Sequence, residues 1–228
     1  VNQITIACLD MAGTTVADEG SVTASFTAAL AHAGLVAGNP QHDEAMRVVR
    51  ETMGQSKIEV FRRILGSEQL AQRANAVFEE NYAESVRAGL VGPLPGAAET
   101  ITALRASGIQ VCLTTGFAPA TREALLDALG WRPLIDLALS PADAGRGRPW
   151  PDLPLTALLR LGGGAVSELA VAGDTASDVE SGLRAGAGLV AGVLTGSASR
   201  EDLEKAGAPH ILDAITGLVP LIRPGSPG

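Results

Sequence analysis

Five short runs of β-branched and aliphatic residues punctuate the chain, at positions 4–9, 109–115, 134–140, 169–173 and 188–194. Each is apolar almost throughout rather than alternating, as in strands buried on both faces of a parallel sheet. Segments with helical spacing accompany them at 97–107, 119–129, 176–185 and 213–222. The pattern predicts an α/β fold, a doubly wound Rossmann-like parallel sheet covered by helices on both faces.

Between the first two runs the alternation breaks. Helical patterning recurs near 22–33, 43–52, 57–65 and 68–88, far more chain than one crossover requires. Residues 16–92 are therefore expected to form an inserted helical cap, returning to the core through a linker that holds Pro93 and Pro95. Residues 1–15 and 93–228 then make up the core, and the final Arg-Pro-Gly-Ser-Pro-Gly is expected to be a frayed tail.

Composition narrows the function. With 228 residues, 46% of them hydrophobic, a sizeable core is affordable. A net charge of −8 argues against a nucleic-acid surface. It allows a small anionic substrate, because a metal and a few cations can dominate one pocket. No apolar run is long enough to span a membrane and the start lacks a signal-like pattern, so the cytoplasm is the expected location. Cys8 and Cys112 fall inside predicted strands and read as packed thiols rather than a disulfide or metal pair. His32, His42 and His210 have no metal-ligand spacing, which disfavours zinc. The Gly162-Gly163-Gly164 run lacks the P-loop pattern and reads as a helix-to-strand loop.

The candidate chemistry lies at the carboxyl ends of the predicted strands, where open α/β sheets bind ligands. Asp10 follows the first strand, Thr114-Thr115-Gly116 the second, and Gly173-Asp174-Thr175 the fourth, with Asp178 one helical turn later. Taken singly, each has an ordinary explanation. Asp10 could end a strand, Asp174-Thr175 could cap a helix, Thr115 could satisfy backbone, Arg148 could be solvated, and Lys57 could lie on an exposed helix face. Together they suit phosphoryl transfer. A carboxylate such as Asp10 attacks phosphorus only if a cation suppresses charge repulsion, and Asp174 and Asp178 supply hard oxygen donors that suit Mg²⁺. Thr115 with nearby amides can hold phosphoryl oxygens, and Arg148 can neutralise them.

The segments DMAGTT, TTG, GRP and GDTASD, in that order, resemble the four motifs of the haloacid dehalogenase superfamily. DxAGTT, the arginine of the third segment and Met53-Gly54-Gln55-Ser56-Lys57 resemble, more narrowly, phosphonoacetaldehyde hydrolase and its phosphonatase-like relatives. The resemblance implies that Asp10 is the nucleophile and that Asp10, the Ala12 carbonyl, Asp174 and Asp178 surround Mg²⁺. It further implies that Thr115, Gly116 and Arg148 bind the phosphoryl group, that Met53 and Gly54 line the site, and that Lys57 forms a Schiff base with the substrate aldehyde. A homodimer through the cap is a further implication.

Ala12 and Lys57 fit one chemistry. Most phosphatases of that superfamily carry an aspartate in place of Ala12, where it protonates an alkoxide leaving group as a general acid. Alanine cannot. A carbon leaving group instead needs an electron sink, which a lysine iminium provides. The expected function is Mg²⁺-dependent cleavage of the carbon–phosphorus bond of phosphonoacetaldehyde or a related 2-oxoalkylphosphonate. The alternatives are hydrolysis of a small phosphomonoester or acyl phosphate, halide displacement from a 2-haloacid, and non-catalytic binding of a phosphate ligand. Val60, Phe117 and Met11 replace the histidine, tyrosine and tryptophan usual in the resembling enzymes, and point toward a substituted substrate.

Overall fold

A computed structural model describes residues 3–17 and 19–222, so the expected frayed tail lies outside the described residues. After β1 (Ile6–Asp10) and the short β2 (Val16–Ala17) come four helices, α1 (Ser21–His32), α2 (Pro40–Glu51), α3 (Lys57–Leu65) and α4 (Glu68–Arg87). The chain returns through β3 (Gly92–Pro93), followed by α5 (Ala97–Ala106), β4 (Gln110–Thr114), α6 (Pro119–Leu129) and β5 (Leu137–Leu139). Next come α7 (Pro141–Ala144), α8 (Asp152–Arg160), β6 (Leu169–Gly173), α9 (Ala176–Ala185) and β7 (Leu189–Val193). Finally, α10 (Arg200–Lys205), β8 (His210–Leu212) and α11 (Leu218–Ile222) complete the described chain.

Six strands form one parallel sheet in the order β5-β4-β1-β6-β7-β8. The chain builds outward from β1 first to one side and then to the other, so the strand order reverses at β1. That reversal opens a crevice at the carboxyl ends of β1, β4 and β6, with Asp10 in register with Thr114. The two-residue alternation of β1 divides the core. Ala7 and Leu9 join the large cluster shared with the cap helices, whereas Ile6 and Cys8 face α8. Cys8 and Cys112 sit side by side as buried free thiols, and burial raises the Cys112 pKa well above the ordinary thiol value.

The two short strands β2 and β3 pair antiparallel. They join the four-helix segment to the sheet as a two-stranded ribbon, with the Leu94 N–H donating to the Thr15 carbonyl (2.9 Å). Among the described residues no helix is long and apolar enough to cross a membrane.

Several elements differ from the sequence expectation. The third run shrinks from 134–140 to Leu137–Leu139, because Arg132–Leu134 turns as a 3₁₀ segment and Asp136 interrupts the strand. The Asp136 carboxylate accepts the Val111 N–H (2.8 Å) and pairs with Arg105 (2.9 Å). The helix expected over 213–222 splits into a 3₁₀ turn, Ile215–Gly217, and α11. Sequence patterning missed α8, α10 and β8. The last is a three-residue edge strand whose residues are exposed or half-buried, too short to show a period. Residues 162–164 do form a helix-to-strand connection.

Candidate active site

Asp10 ends β1 almost fully buried. The following turn is held by Thr15, whose hydroxyl donates to the Asp10 carbonyl (2.8 Å). Across the crevice Asp174 follows β6, with the Thr14 hydroxyl donating to Oδ1 (3.2 Å). Its Oδ2 accepts from the Ser197 N–H (2.8 Å) and the Ser197 hydroxyl (3.2 Å). Thr175, rather than Asp174, caps α9. Its hydroxyl accepts the Asp178 N–H, and the Asp178 carboxylate accepts the Thr175 N–H (3.1 Å) and hydroxyl (2.5 Å). The helix cap thereby fixes Asp178 against the crevice.

Arg148 lies in the 145–151 loop, which is clamped to α9. Ser181 donates to the Trp150 carbonyl (2.8 Å) and Arg184 to the Pro149 carbonyl (3.1 Å). That clamp drives the buried Arg148 guanidinium between two carboxylates, pairing it with Asp10 (2.5 Å) and with Asp178. The oxygens of Asp10, Asp174 and Asp178 come within 4.8 Å of one another. Among the described residues, Arg148 is the one cation in ion-pair contact with this trio of buried acids. Burial, reinforced by Asp178 and Asp174 and opposed by Arg148, pushes the Asp10 pKa up to about 8. Burial and Asp178 raise Asp174 to about 6. Such under-compensated hard oxygen donors fit Mg²⁺, whose charge would offset their repulsion.

Asp10, Ala12, Met53, Gly54, Lys57, Thr115, Gly116, Arg148 and Asp174 all line one cavity of about 470 Å³. Asp178 is not on its wall and joins the site through the carboxylate cluster and Arg148. Thr115 accepts the Phe117 N–H (3.2 Å), an ordinary local turn that leaves the hydroxyl proton available to a ligand oxygen.

The cap contributes its loop 53–57 by close backbone approach. Lys57 N–H donates to the Gly116 carbonyl (3.2 Å). A Cβ at Gly54 (φ +84°) would collide with the Thr175 hydroxyl, and one at Gly116 with the Gln55 carbonyl, so both positions require glycine. This docking buries Lys57 at the first turn of α3, only 6% exposed. Its Nζ lies 5.2 Å from the Phe117 ring centroid, 5.8 Å from Phe26 and 6.0 Å from Phe78. The only hydrogen bond that the amine itself makes among the described residues is a long one, 3.5 Å, to the Gln55 carbonyl. Burial and then Arg148 push the Lys57 pKa down to about 8, against the opposing pull of Asp10, Glu79 and Asp174.

The chain has four phenylalanines and one tyrosine; all five pack into one aromatic cluster, and Phe26, Phe78 and Phe117 of that cluster face this amine. Phe26 packs on Phe78 at 4.7 Å and Tyr82 on Phe117 at 4.3 Å, with Phe61 against Phe26 at 5.2 Å. So few rings gathered at the cap–core junction give Lys57 an apolar setting. Val60 and Met11 are buried apolar side chains and offer no proton-transfer group.

Sequence reasoning did not find Ser197, Thr195, Glu79 or the aromatic enclosure. Thr195 donates to the Gly13 carbonyl (2.7 Å). Thr195 and Ser197 follow β7, so the strand-end rule that found Asp174 reaches them too. Glu79, on α4, accepts the Ala118 N–H (3.2 Å) and the Thr121 hydroxyl, latching the cap to the start of α6; no local motif signals it. Ser197→Ala removes the hydroxyl bond to Asp174 Oδ2 and leaves the backbone one, so it is expected to loosen binding of a divalent cation at the carboxylate cluster by up to about ten-fold with little change in melting temperature. A magnesium titration of activity beside a thermal melt checks this.

An acidic pocket at the reversal point of a doubly wound parallel sheet, beside the four-helix segment, marks an α/β protein with a candidate cation site. The chain belongs to the haloacid dehalogenase-like hydrolases, matching that family over residues 4–186. It is 28% identical over 174 residues to a phosphonoacetaldehyde hydrolase of Parabacteroides distasonis, covering 68% of this chain and 64% of that protein. Thus it spans somewhat under two thirds of that relative. A protein of Dickeya dadantii named probable phosphatase IndB is 28% identical over 216 residues, covering 92% of this chain and 90% of its own length. Among solved structures, a phosphonoacetaldehyde hydrolase-like protein from Oleispira antarctica superposes with a TM-score of 0.77 at 25% identity, covering 100% of this chain and 96% of that one.

Proposed function

We propose that this hydrolase cleaves the carbon–phosphorus bond of phosphonoacetaldehyde or a related 2-oxoalkylphosphonate, using Lys57 as a Schiff-base amine and Asp10 as the phosphoryl acceptor. The observation that carries this reading is the setting of Lys57. A buried amine with no ion pair among the described residues, bordered by three aromatic rings and depressed toward neutral pH, shares one cavity with Asp10 and with Ala12. Burial favours the neutral amine that carbonyl attack requires.

The neutral Lys57 amine adds to the carbonyl carbon, and the resulting hydroxyl leaves as water by taking up a proton from solvent, giving a protonated imine. The Asp10 carboxylate attacks phosphorus, and the electron pair of the breaking carbon–phosphorus bond moves through the adjacent carbon to the iminium nitrogen, forming an enamine. Protonation at carbon restores the iminium, whose hydrolysis releases the carbonyl product and frees Lys57. Water then hydrolyses the aspartyl phosphate. Arg148 and the Thr115 hydroxyl hold the phosphoryl oxygens throughout. Asp10, Asp174, Asp178 and the Ala12 carbonyl would hold Mg²⁺, which when bound offsets the repulsion between carboxylate and phosphoryl group.

Two observations favour a second reading, hydrolysis of an activated phosphate such as an acyl phosphate. Val60 is apolar and buried, and the relative named as a phosphatase matches nearly the whole chain. The two readings separate in a product assay with Mg²⁺ and phosphonoacetaldehyde. Carbon–phosphorus cleavage predicts acetaldehyde and phosphate in equal amounts. No phosphate from phosphonoacetaldehyde or 2-oxopropylphosphonate, with rapid release from acetyl phosphate, would reject it.

A further inference from the structure

A second cavity, of about 680 Å³, adjoins the first at Lys57. The two cavities share Lys57, Gly116, Phe117 and Arg148 as a common wall. A two-carbon aldehyde fits wholly within the first chamber and leaves the second without a role, although its volume matches pockets that hold drug-sized ligands.

The lining of the second chamber has a definite chemistry. Five basic residues, Lys57, Arg62, Arg63, Arg146 and Arg148, face two acidic ones, Glu59 and Glu79. Most of that charge is committed elsewhere. Arg62 pairs with Glu68 (2.7 Å) and Glu59, and Arg146 with Asp152 (2.9 Å). Arg63, whose side chain is 59% exposed, is paired only loosely, 3.9 Å from Glu51, and makes no hydrogen bond through its side chain among the described residues. Among the described residues the Asn75 Oδ1 acceptor and the Arg148 Nε donor, both belonging to residues that line the chamber, are buried without hydrogen-bond partners. Between these polar points lie apolar surfaces of Ile58, Phe117 and Pro119.

We infer that the second chamber receives the substituent on the far side of the substrate carbonyl, and that this substituent is an alkyl chain ending in a carboxylate. The inference rests on the proposed reaction at Lys57. With phosphorus held beside Asp10 and the carbonyl carbon bonded to Lys57, the remaining substituent of that carbon points across the shared wall. An aldehyde has only hydrogen there. The substrate class is therefore a ketone, an ω-carboxy-2-oxoalkylphosphonate, with its chain along Ile58 and Phe117 and its carboxylate at Arg63.

Inert phosphonates test the chamber without turnover. Titration calorimetry with Mg²⁺ compares methylphosphonate, pentylphosphonate and 5-phosphonopentanoate on the parent protein, on Arg63→Ala and on Ala142→Trp, whose ring fills the chamber from an exposed position. The expected result is at least about ten-fold tighter binding of 5-phosphonopentanoate than of methylphosphonate, with most of that gain lost in both variants. Equal affinity for all three ligands, or a gain that survives both substitutions, overturns the inference. Turnover of phosphonoacetaldehyde is scored separately. Its absence, together with absence of turnover of the keto acid 5-oxo-6-phosphonohexanoate, with length-dependent binding intact rejects the Lys57 reaction and not the chamber, and turnover of either with flat binding rejects the chamber alone.

Discussion

Asp10→Asn is expected to lower phosphate release by on the order of 10⁴-fold or more, because a neutral amide oxygen neither attacks phosphorus nor contributes charge to the cation site. The metal-free variant should nevertheless fold at least as well as its parent. Burial and the neighbouring acids outweigh Arg148 and hold the Asp10 pKa near 8, above its ordinary 3.8. For an acid whose folded pKa is raised, ionisation opposes folding. The penalty is absent below about pH 4 and grows as pH rises toward 8. At pH 7 the isosteric amide escapes it and keeps the Asp178–Arg148 pair. Thermal melts of the metal-free proteins beside phosphate assays separate the two effects. Undiminished turnover rejects Asp10 as nucleophile, and a collapsed melt shows that the carboxylate is structural.

Lys57→Arg should have the second largest effect. Arginine keeps the positive charge and much of the length but cannot shed a proton to become an amine nucleophile. Cleavage of the phosphonate should fall by on the order of 10³-fold, whereas hydrolysis of an activated phosphate, which needs no iminium, should fall far less. The parent enzyme carries a matching pH signature. Burial and Arg148 hold Lys57 near 8 rather than 10.5, so about a tenth of it is neutral at pH 7. Imine formation should therefore climb with pH through 7 and level off above about 8. A profile still rising steeply beyond pH 9, or a phosphonate rate insensitive to Lys57→Arg, removes the lysine from the mechanism. The same shift affects folding: as a base with a lowered folded pKa, Lys57 carries a penalty below pH 8 that is relieved between 8 and 10.5.

Much of this site is legible in the sequence because its chemistry sits at strand ends. Asp10, Thr115 and Asp174 each follow an apolar run, and a parallel sheet gathers such ends into one crevice. Asp178 follows from helix capping, since a Thr-x-x-Asp start places its carboxylate back toward the strand end. The enclosure of Lys57 was not legible. The rings that face it come from α1, α4 and the loop after β4, and only the docking of the four-helix segment brings Phe26 and Phe117 to one amine. In the sequence, Lys57 looks like any lysine opening an amphipathic helix. Glu79 is hidden for the same reason, because its partners Ala118 and Thr121 belong to another layer. The second chamber is more remote still, being a void between α3, α4 and the Arg148 loop rather than a motif.

Those unforeseen features carry the central claim, that a desolvated Lys57 joins the substrate carbonyl while Asp10 takes the phosphoryl group. The most direct measurement incubates the protein with Mg²⁺ and phosphonoacetaldehyde, adds borohydride, and maps the reduced adduct by peptide mass spectrometry. A substrate-dependent two-carbon adduct on Lys57, absent from Lys57→Arg and accompanied by loss of activity, is the predicted result. Full phosphate release from phosphonoacetaldehyde with Lys57 unmodified would contradict it.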